Sequence, residues 1–287
     1  MSSQAEAEPA RGPLLTVRVH ERMLVARRRG ERAFACSLDL DRSQTQAELG
    51  ADDWRWRGRS YPYLERCKER TIYHWTGEVF EPVARFGTSL LKLVPTDWGP
   101  PTFEIDGVKM LPTKQVSPYE DARRKVALIE PDGKRVLDTC AGLGYFAAWC
   151  LEGGASEVTS YEINPDVLWL RTINPWSPSG GSGLNVIAGD IGEAIRGLAA
   201  GSFGAILHDP PRFGLAGDLY SQAFYDELAR VLQPGGRLFH YTGTPNRLTS
   251  GRDVPHEVER RLRLAGFTTR IEGDGVLAVR GSRRRTL

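Results

Sequence analysis

Residues 135–144 read Arg135-Val136-Leu137-Asp138-Thr139-Cys140-Ala141-Gly142-Leu143-Gly144. A short apolar strand runs into a carboxylate and then a pair of glycines, and Phe146-Ala147-Ala148-Trp149 marks the helix that follows. Glycine after a strand lets the backbone turn sharply and approach a ligand closely. With Ala147 the spacing also fits the dinucleotide fingerprint G-x-G-x-x-A, so the stretch alone admits more than one nucleoside cofactor.

Outward from this turn, apolar runs alternate with helical stretches. Arg135 to Cys140, Glu157 to Ile163, Asn185 to Gly189, Phe203 to Asp209 and Arg237 to Thr242 read as strands. Phe146 to Trp149, Val167 to Ile173, and Phe224, Leu228, Val231 and Leu232 mark the helices between them. Such alternation predicts a mostly parallel sheet covered on both faces, with ligands at the carboxyl ends of its strands. Thr268 to Val279 reads as two strands about an Asp274-Gly275 turn and adds an antiparallel edge, for seven strands in all. Ser117-Pro118-Tyr119-Glu120 has the form of a capping box with proline at the first helical position, so a helix starts there.

The chain before that point has another texture. Alternation at Leu15-Thr16-Val17-Arg18-Val19 and at Phe34, Cys36, Leu38 and Leu40 reads as strands. Asp106-Gly107 inside Phe103 to Met110 reads as a two-residue hairpin turn. The division expected is a disordered leader at 1–13, a small β-rich domain at 14–112 and a Rossmann-like α/β domain at 113–287. Trp54, Trp56, Tyr61, Tyr63, Tyr73 and Trp75 are interleaved in part with Arg55, Arg57 and Arg59. They form either a stacking surface for bases or a compact core with snorkelling arginines.

Lysine plus arginine number 38 against 36 acidic residues, a net charge of +2, so no strong field demands an acidic partner. Arg27-Arg28-Arg29 and Arg283-Arg284-Arg285 are local clusters only. Cys36, Cys67, Cys140 and Cys150 lack paired spacing, so neither a disulfide framework nor a metal site is expected, and a reducing cytoplasm fits. No apolar run is long enough to span a bilayer.

Glu162, ending the second strand, is placed to accept hydrogen bonds from both ribose hydroxyls of a cofactor, with Ile163 beside it. Asp138 would repel a pyrophosphate but suits a cofactor that bears an ammonium and a sulfonium, which favours S-adenosylmethionine over NAD. Ala141, Gly142 and Gly144 form the turn. Gly189-Asp190-Ile191 supplies a carboxylate for the adenine amine and an apolar side chain for its ring.

His208-Asp209-Pro210-Pro211-Arg212-Phe213 carries the remaining chemistry. An exocyclic base amine is a poor nucleophile because its lone pair is conjugated into the ring. Accepting both N–H bonds, at the Asp209 carboxylate and the Pro210 carbonyl, favours a pyramidal nitrogen and stabilises the charge that develops on it. Two prolines fix that carbonyl and donate no competing N–H. His208 and His240 face the acceptor or serve as structural histidines, and Tyr220, Tyr225 and Tyr241 line the acceptor or pack the core. Arg252 meets a phosphate or a substrate carboxylate, or is a plain loop residue; Ser177 to Gly183 reads as a flexible connection.

On these motifs, 117–281 resembles a class I S-adenosylmethionine-dependent methyltransferase, and His208-Asp209-Pro210-Pro211 resembles the Asp/Asn-Pro-Pro-aromatic motif of exocyclic-amine methylases. Arg212 stands where that motif has its base-stacking aromatic, so stacking would fall to Phe213 or to the Arg212 guanidinium. Asp138 to Tyr145, Asn174-Pro175-Trp176-Ser177, His208 to Phe213, Gly235 to Tyr241 and Ile105 to Met110 are similar to a largely uncharacterised family of predicted archaeal methyltransferases. That resemblance implies methylation of an RNA base, ribosomal rather than transfer RNA, at a cytidine amine. Some of its members carry a spermidine or spermine synthase label. A small-molecule amine acceptor, with methyl or aminopropyl transfer, and a non-catalytic RNA-binding protein are the rival readings.

Overall fold

The computed structural model describes residues 12–212, 214, 216–243 and 253–281. Phe213, Gly251, Arg252, the arginines at 283–285 and the leader as far as Arg11 lie outside the described residues. Gly12 and Pro13, expected in the leader, are placed, and Pro13 is buried. The chain divides into two units: residues up to Pro118 together with Trp169–Trp176, and Tyr119–Leu168 together with the chain from Ser177 on.

The first unit contains β1 (Leu14–Leu15), α1 (Val17–Arg28), β2 (Ala33–Cys36), β3 (Thr45–Leu49), β4 (Asp53–Trp56) and β5 (Arg59–Pro62). It continues with β6 (Tyr73–Trp75), β7 (Phe80–Pro82), β8 (Ala84–Phe86), β9 (Leu90–Val94), β10 (Thr102–Ile105) and β11 (Val108–Lys109). Three antiparallel sheets result, ordered β1-β6-β7, β2-β3-β4-β5 and β11-β10-β9-β8. The strand expected over Leu15 to Val19 is a helix from Val17 on. Thr16 caps it by accepting from the Val19 N–H at 3.4 Å, and Val19, Met23 and Ala26 recur on its buried face.

The stacking-surface reading of the aromatics fails. Trp54, Trp56, Tyr61 and Tyr73 are buried in one core, Trp54 and Tyr61 with centroids 4.7 Å apart. Each Trp donates its indole N–H inside that unit, Trp54 to the Pro62 carbonyl and Trp56 to Thr45 Oγ1. Arg57 lies over Trp56 and Arg27 over Tyr63, which is the snorkelling arrangement. The Asp106-Gly107 turn is as expected: φ is 49° and 79°, and Ile105 pairs with Val108 across it.

The second unit holds β12 (Arg135–Asp138), α3 (Tyr145–Glu152), β13 (Glu157–Glu162), β14 (Leu184–Ala188), α5 (Ile191–Ala194), β15 (Phe203–His208), α6 (Gln222–Val231) and β16 (Leu232–Tyr241). It closes with α7 (Val254–Leu264), β17 (Phe267–Glu272) and β18 (Gly275–Arg280); α2 (Pro118–Ile129) leads into it, and α4 (Pro165–Ile173) crosses the boundary. The sheet runs β14-β13-β12-β15-β16-β18-β17; β12 to β16 are parallel, and β18 is antiparallel to β16 and β17. This is a Rossmann-like α/β fold with an antiparallel edge. All six residues of β15 are buried, as a central strand covered on both faces requires.

Two local readings shift. Leu232, read as helical, opens β16, whose pairing with β15 is irregular between Phe203 and Ala205. The last hairpin turns on Gly273-Asp274, with Gly273 at φ 55°, because Gly275 is already in the sheet opposite Tyr241. A Cβ on Gly275 would lie 2.4 Å from the His240 carbonyl oxygen and 2.6 Å from the Phe239 ring. Gly275→Ala is therefore expected to cost roughly 1–3 kcal/mol in denaturant unfolding. A loss within error would mean that β16 and β18 are less tightly paired than described.

Candidate active site

The parallel register brings three strand ends to one edge, since Asp138 pairs with Leu207 and His208 with His240. The glycine turn leaves β12 there, with Gly142 at φ 48° and Gly144 at φ 81°, both left-handed. Gly144 caps α3, and the Ala141 N–H donates to the Tyr161 carbonyl at 2.8 Å. Glu162 accepts from the Gly142 N–H through Oε2 and from the Asn164 N–H through Oε1, each at 2.9 Å. Both carboxylate oxygens are thereby aimed by the turn. Asp138 is 0% exposed, and Ser160 Oγ donates to it at 2.8 Å.

The adenine-side expectations divide. Ile163 is 66% exposed beside Glu162, an apolar side chain open to a ring. Asp190 is exposed and caps α5 by accepting from the Gly192 N–H at 2.7 Å. Ile191, expected against the ring, is 3% exposed and packs into the core of the second unit. The helix that Asp190 caps turns it inward.

His208 is not a free acid or base. Its Nε2 lies 3.0 Å from the Leu219 carbonyl, which can only accept, so Nε2 carries the proton. Nδ1 then accepts the Thr139 hydroxyl at 2.7 Å. Burial pushes its pKa down to about 4, so the ring is neutral. His240 is equally enclosed: Nδ1–H donates to the Tyr241 carbonyl at 3.0 Å, and Nε2 accepts from Tyr225 at 2.9 Å. Burial, then the neighbouring His208, holds it well below the usual range. Tyr225 is therefore a core residue, and Tyr220, also buried, donates to the Pro211 carbonyl at 3.1 Å.

Asp209 follows His208 off the strand, and among the described residues no hydrogen-bond donor reaches its carboxylate or the Pro210 carbonyl. Burial pushes its pKa up to about 6; the Lys125 ammonium opposes that shift and Asp121 adds to it. Asp121 and Lys125 form an ion pair of 2.7 Å on α2, and the ammonium lies 3.6 Å from the centroid of the Tyr241 ring. Neither residue figures in the reading of the sequence. The signal was present: Lys125 shares the buried stripe of Ala122, Val126 and Ile129, where an unpaired lysine would be costly.

Asn174 to Ser177 does not form one site. The Trp176 indole donates to the Leu40 carbonyl at 2.9 Å within the first unit, and Ser177 Oγ donates to the Leu143 carbonyl at 2.7 Å within the second. Among the described residues no group of side chains could hold a metal ion, and no helix is long and apolar enough to cross a membrane.

A folded-state pKa above the ordinary 3.8 means that Asp209 binds its proton more tightly folded than unfolded. Its stabilising contribution is present below about pH 4 and is lost as pH rises through about 6. Asp209→Asn is thus expected to melt higher than the wild type at about pH 8, with the gap closing below pH 4. Melting curves across pH with no such convergence would refute the burial of this charge.

No family model matches the chain. Uncharacterized protein MJ1233 of Methanocaldococcus jannaschii is 47% identical over 209 residues, covering 71% of this chain and 71% of that protein. Among solved structures, a spermidine synthase in complex with the transition-state analogue AdoDATO aligns with a TM-score of 0.57 and 15% identity, covering 71% of this chain and 77% of that one. Spermidine synthase from Thermotoga maritima aligns at 0.53 and 16%, covering 71% and 75%. Those two likenesses concern the fold. The relative at 47% identity goes further: the chain belongs to the same family as MJ1233.

Proposed function

We propose that the chain is an S-adenosylmethionine-dependent methyltransferase acting on an exocyclic amine of a nucleobase in RNA, with a ribosomal cytidine as the leading acceptor. The observation that carries this reading is a pair of acceptors that no donor among the described residues reaches, the Asp209 carboxylate and the Pro210 carbonyl, beside the glycine turn and its partner Glu162.

The donor set fits the cofactor. The left-handed glycines keep side chains off the turn, the Asp138 carboxylate matches an amino-acid ammonium, and the Glu162 carboxylate, aimed by two backbone N–H groups, matches a pair of ribose hydroxyls. When bound, S-adenosylmethionine supplies a methyl group activated by its sulfonium. Asp209 and Pro210 take the two N–H bonds of the amine, so its lone pair points away from them and along the line of displacement. On accepting that methyl group the amine would give up one proton, which would pass to water. The ionised Asp209 is the stronger acceptor and the counter-charge for the cation that develops on the amine, so kcat/KM should fall as pH drops through about 6.

Spermidine synthases share this fold, so aminopropyl transfer to a polyamine is the reading to be separated from methyl transfer. Purified protein is expected to label ribosomal RNA from a strain lacking the gene, giving a methylated base amine by nucleoside mass spectrometry. Asp209→Ala should lower that transfer by about 10²–10³. Labelling of spermidine or putrescine with none in RNA would retire this reading, and undiminished labelling by Asp209→Ala would retire the role of Asp209.

A further inference from the structure

The chain that leaves Asp209-Pro210-Pro211 soon returns to it. Gly217–Tyr220 is a short 3₁₀ turn, and its last two residues tie the run on both sides. The His208 ring, one residue before Asp209, donates from Nε2 to the Leu219 carbonyl at 3.0 Å. The Tyr220 hydroxyl donates to the Pro211 carbonyl at 3.1 Å, one residue after Pro210. Tyr220 is 2% exposed, with its ring centroid 5.3 Å from that of His240. It is itself held from α7: the Arg261 guanidinium donates to the Tyr220 backbone carbonyl and pairs with Glu257 at 3.2 Å. The Arg261 carbonyl in turn accepts from the Gln222 side chain at 3.2 Å.

Two prolines leave little else to fix. The Pro211 ring locks its own φ, and a proline at 211 confines Pro210 to extended backbone. Between the held Pro211 carbonyl and the plane of the Pro210–Pro211 peptide one soft angle remains, ψ of Pro211. The hydrogen bond from Tyr220 selects its value, and the plane so oriented carries the Pro210 carbonyl. We propose that Tyr220 is a positioning residue of the acceptor site: its hydroxyl, with its backbone anchored by Arg261, aims the Pro210 carbonyl at the second N–H of the amine. This rests on the reading of Asp209 and Pro210 as the amine-binding pair. Aim matters at this place because a displacement of about 1 Å from the reactive geometry costs about 10² in rate.

Tyr220→Phe removes the hydroxyl and keeps the ring against His240. In full-length protein, on whichever acceptor the wild type methylates, it should lower kcat by about 10–100-fold and leave the S-adenosylmethionine Kd, by calorimetry, within about twofold. Arg261→Gln should lower kcat as well, and Arg261→Lys, which can still donate to the Tyr220 carbonyl, should recover most of that loss. Combined with Asp209→Ala, Tyr220→Phe should cost less than the product of the two single losses, because both acceptors hold one amine. In protein carrying carbonyl-¹³C proline, the Pro211 resonance, identified by its loss in Pro211→Ala, should move in Tyr220→Phe. A lower melting temperature with kcat intact would mean that Tyr220 only packs, and would overturn the proposal. An unmoved Pro211 resonance, or losses that multiply in full, would overturn it too. Methylation of a small amine and of no RNA would retire the nucleobase reading, while a kcat loss in Tyr220→Phe on that amine would still uphold the positioning role. RNA methylation undiminished by Tyr220→Phe would do the reverse.

Discussion

The 2.7 Å hydrogen bond between Thr139 Oγ1 and His208 Nδ1 joins the end of β12 to the end of β15, and both chemical motifs begin one residue beyond it. Thr139 leads into the glycine turn and His208 into Asp209-Pro210-Pro211. Burial pushes the His208 pKa down to about 4, so the ring is neutral and Nδ1 accepts from the Thr139 hydroxyl. The Leu219 carbonyl takes the other ring proton, so the tautomer is fixed as well. In this neutral form the Thr139 hydroxyl donates to the ring, with the Leu207 carbonyl also within reach of that hydroxyl at 3.3 Å. His208 thus acts on the chemistry through position.

Around this bond the carboxyl edge concentrates negative charge. Asp138 is fully buried, Glu162 is held by two backbone N–H groups, and Asp209 is held by neither. Protein interiors accept such groups only with partners or at the cost of a shifted pKa. Asp209 takes the second course, as its rise to about 6 records. The carboxylate left without an internal donor is the one best suited to bind an amine, so the local instability and the proposed function have one origin.

The central strands were legible because a sheet buried on both faces demands continuous apolar runs, and β12, β13 and β15 meet that demand within two residues of their expected ends. The Asp106-Gly107 hairpin was legible because few residues other than glycine and Asp or Asn accept two successive left-handed conformations. Leu15 to Val19 misled because a strand and the first turn of a helix look alike over five residues; Thr16 as a cap was the cue that decided it. Interleaved Trp and Arg suggested a base-binding face, whereas alternation along β4 sends the tryptophans inward and only the arginines outward. Lys125 was missed for a different reason. A lysine in an apolar stripe declares itself only when the groups that compensate it, Asp121 on its own helix and Tyr241 more than a hundred residues away, are seen together.

Aromatic rings at this edge are used mainly on one another. His208 and His240 lie 4.4 Å apart, and Phe224, Tyr220 and Tyr225 pack within 6.5 Å of one or the other. Tyr241 has Lys125 over its ring, and a Cβ on Gly243 would come within 3.2 Å of the same ring. These rings are thus packed chiefly on one another, with Lys125 on Tyr241. Arg212 is exposed directly after the two prolines, so under the proposed function its guanidinium and the Phe213 ring are the two candidates for stacking on the base. A guanidinium stacks on a base while adding positive charge close to a phosphate backbone, which a phenyl ring at that place would not do. Arginine in the position of the usual aromatic is then consistent with an acceptor presented by a polynucleotide.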